Sequence, residues 1–257
     1  MTTKKYDGIL LCTDYDGTLF YNGVNPRNLE AIREFTAGGG RFTLATGRAN
    51  YEVRENDLPV KPNAPMLCMI GSRIWDFTEQ KSLGDFTMDG SVGDVIRKIC
   101  VHLREKSDVK LDDASVYRAD KPFLFSNRTD ADIEEGVSRI DGAYKVVFWL
   151  KEDYTPRLFK EVREICGDTC NLCSNREDIL EITAHGVHKG SAVRRLKEIL
   201  GAHTLICAGD FNGDIPMLKA ADIGYAVENA TDEVKAAADR VTVHAKDGAI
   251  AEIIANL

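Results

Sequence analysis

Apolar residues in this chain follow two rhythms, short unbroken runs and helical spacing, and their alternation predicts most of its elements. Ile9 to Thr13 is an apolar run closed by Asp14-Tyr15-Asp16-Gly17, as expected of a buried strand that ends in a turn. Asn25-Pro26 then offers an N-cap and a first-turn proline. Leu29, Ile32 and Phe35 continue at helical spacing until Gly38-Gly39-Gly40 stops the pattern. Phe42 to Ala45 is a second buried strand, ended by Thr46-Gly47-Arg48, with a helix expected to follow through Asp57; Pro65 to Ile70 is a third strand. Strands separated by helices at this spacing predict a parallel sheet with helices on its faces.

The middle of the chain has a different order. It reads as a helix (Val92–Lys106), strands (Ser115–Ala119 and Phe123–Ser126), a helix (Asp130–Ile140), a strand (Tyr144–Lys151), a helix (Thr155–Cys166), and strands Cys170–Cys173 and Ile179–Thr183. Strands that follow strands predict an α+β layer with an antiparallel sheet. After Lys189 the alternation returns, with helices Ser191–Leu200, Ile215–Ala221 and Asp232–Ala238, strands Leu205–Ala208, Ile223–Val227 and Arg240–Val243, and a last helix from Gly248. The expected fold class is α/β: a doubly wound, Rossmann-like parallel-sheet core, residues 1–82 and 186–257, split by an inserted α+β cap domain, residues 83–185.

Composition narrows the possible partners. With 257 residues, 44% of them hydrophobic and only seven Pro, the chain has material for a packed core and no sign of disorder. A net charge of −8 argues against a non-specific nucleic-acid or anionic-membrane binder. The apolar run Ile9–Cys12 is too short for a signal peptide, and no stretch approaches the roughly 20 apolar residues of a membrane span, so a cytoplasmic protein is expected. The seven Cys are an odd number, with Cys12, Cys68 and Cys207 inside apolar runs, which suits buried free thiols in a reducing compartment. Cys166, Cys170 and Cys173 have a spacing used by some iron–sulfur enzymes. However, Cys166 closes a helix, and Cys170 and Cys173 would face opposite sides of one strand, so buried thiols are expected here too. Trp75 and Trp149 are expected to pack in the core or the cap rather than to form a stacking platform, and Glu161–Glu164 to form a solvated helix face.

Ligands of doubly wound sheets bind outside the carboxyl ends of the strands. Three predicted strands end there in polar clusters: Asp14-Tyr15-Asp16-Gly17-Thr18, Thr46-Gly47-Arg48, and Gly209-Asp210-Phe211-Asn212-Gly213-Asp214. Carboxylates gathered from two strands concentrate negative charge that a hard divalent cation neutralises well, and Mg²⁺ prefers such oxygen ligands. Lys189, opening a helix in Val187-His188-Lys189-Gly190-Ser191, adds a positive charge. Metal, ammonium, hydroxyl and helix N-termini together suit an anion, most simply a phosphate. Each piece alone has a plainer reading: a turn with N-caps, a helix cap at Thr46, a solvated Lys189, a helix start flanked by Asp210 and Asp214. Their joint occurrence in this order favours the site.

These strings, in this order, resemble the four motifs of the haloacid dehalogenase-like (HAD) hydrolases, and within them the Cof-type sugar-phosphatase group. The resemblance spans nearly the whole chain: Asp14-Tyr15-Asp16-Gly17-Thr18-Leu19 is similar to the first motif, Ala45-Thr46-Gly47-Arg48 to the second, Val187-His188-Lys189-Gly190 to the third, and Gly209 through Leu218 to the fourth. The stretch from Asp16 to Thr46 is too short for a cap, whereas that from Thr46 to Lys189 matches members whose α+β cap is inserted later. The resemblance implies that Asp14 is the nucleophile of an aspartyl-phosphate mechanism and Asp16 the general acid and base. It further implies that Asp14, Asp16 (through its backbone carbonyl) and Asp210 hold Mg²⁺, and that Thr46, Gly47 and Lys189 bind the phosphoryl oxygens. Asp214 would support the metal through water or an outer contact. Gly213 stands where the family usually has Asn, so that role either passes to Asn212 or is lost. Arg48 lies either near the substrate or in a surface pair, and His185 and His188 are either substrate contacts or surface groups.

The expected activity is that of a Mg²⁺-dependent phosphatase, a phosphoric monoester hydrolase acting on a small phosphorylated metabolite, a sugar phosphate foremost. Two alternatives stand beside it. One is a phosphosugar mutase, which returns the phosphate to substrate. The other is a catalytically silent phosphometabolite-binding protein, which has no need of both Asp14 and Asp16. No nucleic-acid or membrane partner is expected, and the chain is read as a monomer or small homo-oligomer. Specificity is expected from cap side chains that the sequence does not single out.

Overall fold

The almost wholly apolar strand β1 (Ile9–Asp14) is buried beyond its first residue, and it sits inside an eight-stranded sheet. The computed structural model of the chain describes residues 4–53, 58–106, 111–151 and 154–257. On one side of β1 lie β2 (Arg41–Ala45) and β3 (Met66–Cys68); on the other lie β11 (Thr204–Gly209), β12 (Ile223–Ala226) and β13 (Arg240–Val241), all parallel. β4 (Arg73–Asp76) turns back antiparallel on β3, and β5 (Lys81–Asp85) forms the edge. The register places Asp14 beside Ala45 and Thr13 beside Ala208, so the loops that leave β1, β2 and β11 emerge together at one end of the sheet. Because the chain winds away from β1 in opposite directions, the strand order switches there, where such sheets hold ligands.

Helices cover this sheet. α1 (Pro26–Ala37) starts at Asn25, whose side chain accepts the Arg27 N–H, and packs on α8 (Ala249–Ala255). α5 (Lys189–Leu200) packs on α6 (Ile215–Ala220), and the short α7 (Asp232–Ala237) follows β12.

A second sheet is wholly antiparallel, in the order β7 (Pro122–Ser126), β6 (Leu111–Tyr117), β8 (Lys145–Leu150), β10 (Ile179–Ala184), β9 (Cys170–Cys173). Strand periodicity sorts its side chains by face. Ala114, Val116, Val146, Phe148, Leu180 and Ile182 share one core with buried residues of α2 (Val92–Glu105), α3 (Asp130–Val137) and α4 (Pro156–Cys166). The fold is therefore α/β, with a parallel core sheet and a separate antiparallel sheet, as the sequence predicts. By its internal contacts the chain divides into two compact units, Met1–Gly84 with His188–Leu257, and Asp85–Val187. No helix among the described residues is long and apolar enough to cross a membrane. All seven cysteines are buried thiols; Cys170 joins the core of the second sheet, while Cys173 does not.

Three expectations need correction. The helix expected through Asp57 is only a turn at Ala49–Val53, where the Ala49 carbonyl accepts the N–H groups of Glu52 and Val53; the rest of that helix, 54–57, lies outside the described residues. The third strand stops at Cys68, because the chain enters the left-handed region at Met69. On the second sheet Trp149 faces away from Phe148 and is 39% exposed, its indole N–H donating to Ser115 Oγ at 3.2 Å. Glu161 is not simply solvated, because Lys106, Arg157 and His102 converge on its carboxylate and hold its pKa down to about 2, tying α4 to the end of α2.

The two faces of β8 make a stability test. Phe148 is fully buried, so Phe148→Ala should cost about 3–5 kcal/mol in urea unfolding, while Trp149→Ala, on the opposite face, should cost distinctly less.

Candidate active site

Asp14 ends β1 as the last residue of an apolar strand and remains 7% exposed. Lys189 opens α5 and is still more deeply buried, at 1%. Its helix is started by His188, whose Nδ1 accepts the Ser191 N–H while Ser191 Oγ accepts the His188 N–H. This reciprocal cap fixes the first turn and so aims the lysine. Lys189 Nζ donates to Asp14 Oδ1 and to Asp214 Oδ1, both at 2.7 Å. Asp214 sits in a 3-10 turn (Asn212–Asp214) after β11, and its second oxygen accepts the N–H groups of Asp210 and Phe211.

Asp210 completes the group. Its Oδ1 accepts the Thr18 hydroxyl at 2.6 Å, and Gly17 lies so close that a Cβ there would stand 2.2 Å from Asp210 Oδ2. Gly17 also has φ +89°, so both space and backbone conformation call for glycine in Asp-Tyr-Asp-Gly-Thr. Carboxylate oxygens of Asp14, Asp210 and Asp214 lie within 4.8 Å of one another.

The electrostatics follow from burial. Desolvation raises the pKa of Asp14 well above the usual carboxylate range, and Asp214 and Asp210 add to this, although Lys189 opposes it. Desolvation and the Asp214 charge push Asp210 up to about 7. Burial works against the Lys189 charge, yet Asp14 and Asp214 outweigh it and hold the ammonium protonated. Three carboxylates facing one ammonium leave a surplus of acceptor oxygens and negative charge, the donor set of a hard cation such as Mg²⁺. These residues can hold a metal ion.

The remaining candidates are placed as follows. The Asp16 side chain stands outside the carboxylate cluster; its two oxygens accept from Arg48 Nη2 at 2.6 Å and Arg48 Nε at 3.0 Å, with both side chains about half exposed. Burial aside, this bond raises the Arg48 pKa. Thr46 is 2% exposed and its Oγ accepts the Arg48 N–H; Gly47 lies between them in the loop after β2. Asn212 turns towards Thr231, whose hydroxyl donates to Asn212 Oδ1 at 3.3 Å. His188 is a helix cap, and burial lowers its pKa. Two further residues gain a place at the site. Thr18 holds Asp210, and Asn229 donates to the Gly17 carbonyl at 2.8 Å while accepting the Ala245 N–H, which ties the first motif to the C-terminal part of the chain. Thr18 was legible inside its motif; Asn229, far away in sequence, was not.

Comparison with known proteins identifies the family. A family model described as haloacid dehalogenase-like hydrolase matches residues 11–254. The chain is 27% identical over 248 residues to the 5-amino-6-(5-phospho-D-ribitylamino)uracil phosphatase YcsE of Bacillus subtilis, covering 91% of this chain and 89% of that protein. It is 25% identical over 283 residues to the pyridoxal phosphate phosphatase YbhA of Escherichia coli, covering 99% and 98%. Among solved structures, that of the HAD subclass IIB sugar phosphatase BT4131 is similar with a TM-score of 0.78 at 20% identity, over 96% of this chain and 98% of that one. A structure from Thermotoga maritima, TM0651, gives a TM-score of 0.70 at 20% identity over 98% and 97%. The chain belongs to the haloacid dehalogenase-like hydrolases.

Proposed function

We propose that the chain is a Mg²⁺-dependent phosphomonoesterase that hydrolyses a small phosphorylated metabolite through an aspartyl-phosphate on Asp14. The observation that carries this reading is Lys189 held between Asp14 and Asp214, with Asp210 beside them. One Asp14 oxygen is engaged by Lys189, and the other is the attacking atom. It forms the bond to phosphorus as the bond to the leaving oxygen breaks, and Asp16 donates the proton that the leaving oxygen takes up. Asp16 then removes a proton from the water that cleaves the acyl-phosphate, which releases inorganic phosphate and restores Asp14. Thr46 and Lys189 bind the phosphoryl oxygens and stabilise the charge that develops on them. A divalent cation held by Asp14, Asp210 and the Asp16 backbone carbonyl, with Asp214 in support, would neutralise charge between the anionic nucleophile and the phosphate.

Arg48 occupies both oxygens of Asp16, so proton transfer requires this pair to open when substrate arrives. The unit Asp85–Val187 would act as the cap that sets specificity. The named relatives act on a phosphorylated ribitylaminouracil and on pyridoxal phosphate, so phosphorylated heterocycles belong beside sugar phosphates among the substrates to be screened.

Hydrolysis of p-nitrophenyl phosphate tests the reading. Turnover should require Mg²⁺, disappear with EDTA and in Asp14→Asn, and fall about 10²–10⁴-fold in Asp16→Asn. A wild type that takes up phosphate but releases almost none to water would favour a mutase instead.

The raised pKa of Asp210 gives a second test. An unfolded Asp titrates near 3.9, so between about pH 4 and 7 the metal-free folded protein holds a proton that the unfolded chain has lost. Stability of the metal-free protein should therefore fall as pH rises through about 7. The cation competes with that proton, so the rise in Tm on adding Mg²⁺ should be larger at pH 8 than at pH 6, and absent in Asp210→Asn. A Mg²⁺ shift that is equal at both pH values would refute this account of the cluster.

A further inference from the structure

The most strained backbone among the described residues lies just after β3. Met69, Ile70 and Gly71 have φ of 51°, 63° and 93°, three successive residues in the left-handed region. The other non-glycines there, Asn22 and Gln80, are exposed polar residues, whereas Met69 and Ile70 are fully buried. A β-branched residue is poorly suited to this conformation, and such strain persists only where the surroundings enforce it.

Those surroundings are the two halves of the phosphate site. The Met69 N–H donates to the Arg48 carbonyl at 2.9 Å and the Ile70 N–H to the Thr46 carbonyl at 3.0 Å, while the Thr46 N–H donates to the Leu67 carbonyl at 2.8 Å. Neighbouring N–H groups in an extended strand point to opposite sides; here the left-handed turn aims two successive ones at the same loop. On its other side the turn abuts the start of α5. A Cβ on Gly71 would stand 2.7 Å from the His188 carbonyl oxygen and 2.8 Å from Ala192 Cβ. One short turn thus holds the Thr46–Arg48 loop and limits where the helix bearing Lys189 can begin.

We propose that Met69–Gly71 is the positioning element of the phosphate site, its strain maintained because only this backbone meets the Thr46 loop and the Lys189 helix together. The inference rests on the reading of Thr46 and Lys189 as phosphate-binding residues. Gly71→Ala, in the full chain, forces either the His188 carbonyl or Ala192 to move. Binding of inorganic phosphate, followed by calorimetry with Mg²⁺, should weaken about tenfold or more, and the KM for p-nitrophenyl phosphate should rise in step. Ile70→Gly, which frees the backbone without adding an obstacle, should weaken phosphate binding severalfold. Ile32→Ala, in α1, serves as a control for general destabilisation: it should lower Tm and leave phosphate affinity unchanged.

If Gly71→Ala does not fold, Ile70→Gly decides alone. Folded variants that bind phosphate within twofold of wild type would overturn the proposal, however much their Tm has dropped. A wild type that neither binds phosphate nor hydrolyses the ester would instead overturn the phosphate-site reading, and this inference would fall with it.

Discussion

Three carboxylates facing one buried ammonium are the constraint around which the rest of the core unit is arranged. An ion pair of this kind is poor evidence of stability, because the desolvation of its charges offsets much of their attraction. The chain nevertheless surrounds it with further polar contacts: two backbone N–H groups on Asp214, the Thr18 hydroxyl on Asp210, and a glycine at position 17 that leaves room for that carboxylate. Such local effort makes sense as preorganisation. Charges fixed before the reaction cost nothing to reorganise during it, and in a site with little water they act at a low effective dielectric.

The partners come from distant parts of the chain. Asp14 and Lys189 are 175 residues apart, and Thr18 and Asp210 are 192 apart. They meet because β11 pairs in parallel with β1 at a register that brings both strands to the same end of the sheet. Parallel pairing needs a long crossover, and here the crossover includes the whole Asp85–Val187 unit. The site is thus incomplete until the last-made half of the core docks on the first, which makes its assembly a non-local step in folding.

This separation also explains what the sequence disclosed. The buried parallel strands were legible because their apolar runs end abruptly in Asp14, Thr46 and Asp210, and the helices of the second unit were legible as well, two of them capped in the structure by Thr129 and Thr155. β4 and β5 escaped notice because a polar edge hairpin shows neither an unbroken apolar run nor a clean alternation; β5 has no buried residue. The Met69–Gly71 turn was hidden by residue type, since Met and Ile read as strand continuation and only tertiary contacts can hold them left-handed. The Gly17 carbonyl bond to Asn229 and the turn of Asn212 towards Thr231 depend on where separate loops meet, and no local pattern records that.

Exposure separates the fixed charges from the movable one. Lys189 and its two partners are almost completely buried, so breaking either bond would leave an uncompensated charge in a low dielectric, and these groups stay in place. Asp16 and Arg48 are paired with equally good geometry, but their side chains are about half exposed. A solvated pair of that kind contributes about 0–1 kcal/mol, so an arriving phosphate ester can separate it at little cost. The group assigned to move protons is then the one carboxylate of the site whose partner can be drawn away, and Arg48 is itself an anion-binding cation once released. Burial differences between adjacent ion pairs therefore divide the site into a rigid half, to which the proposed mechanism assigns phosphate binding, and a mobile half, to which it assigns proton transfer.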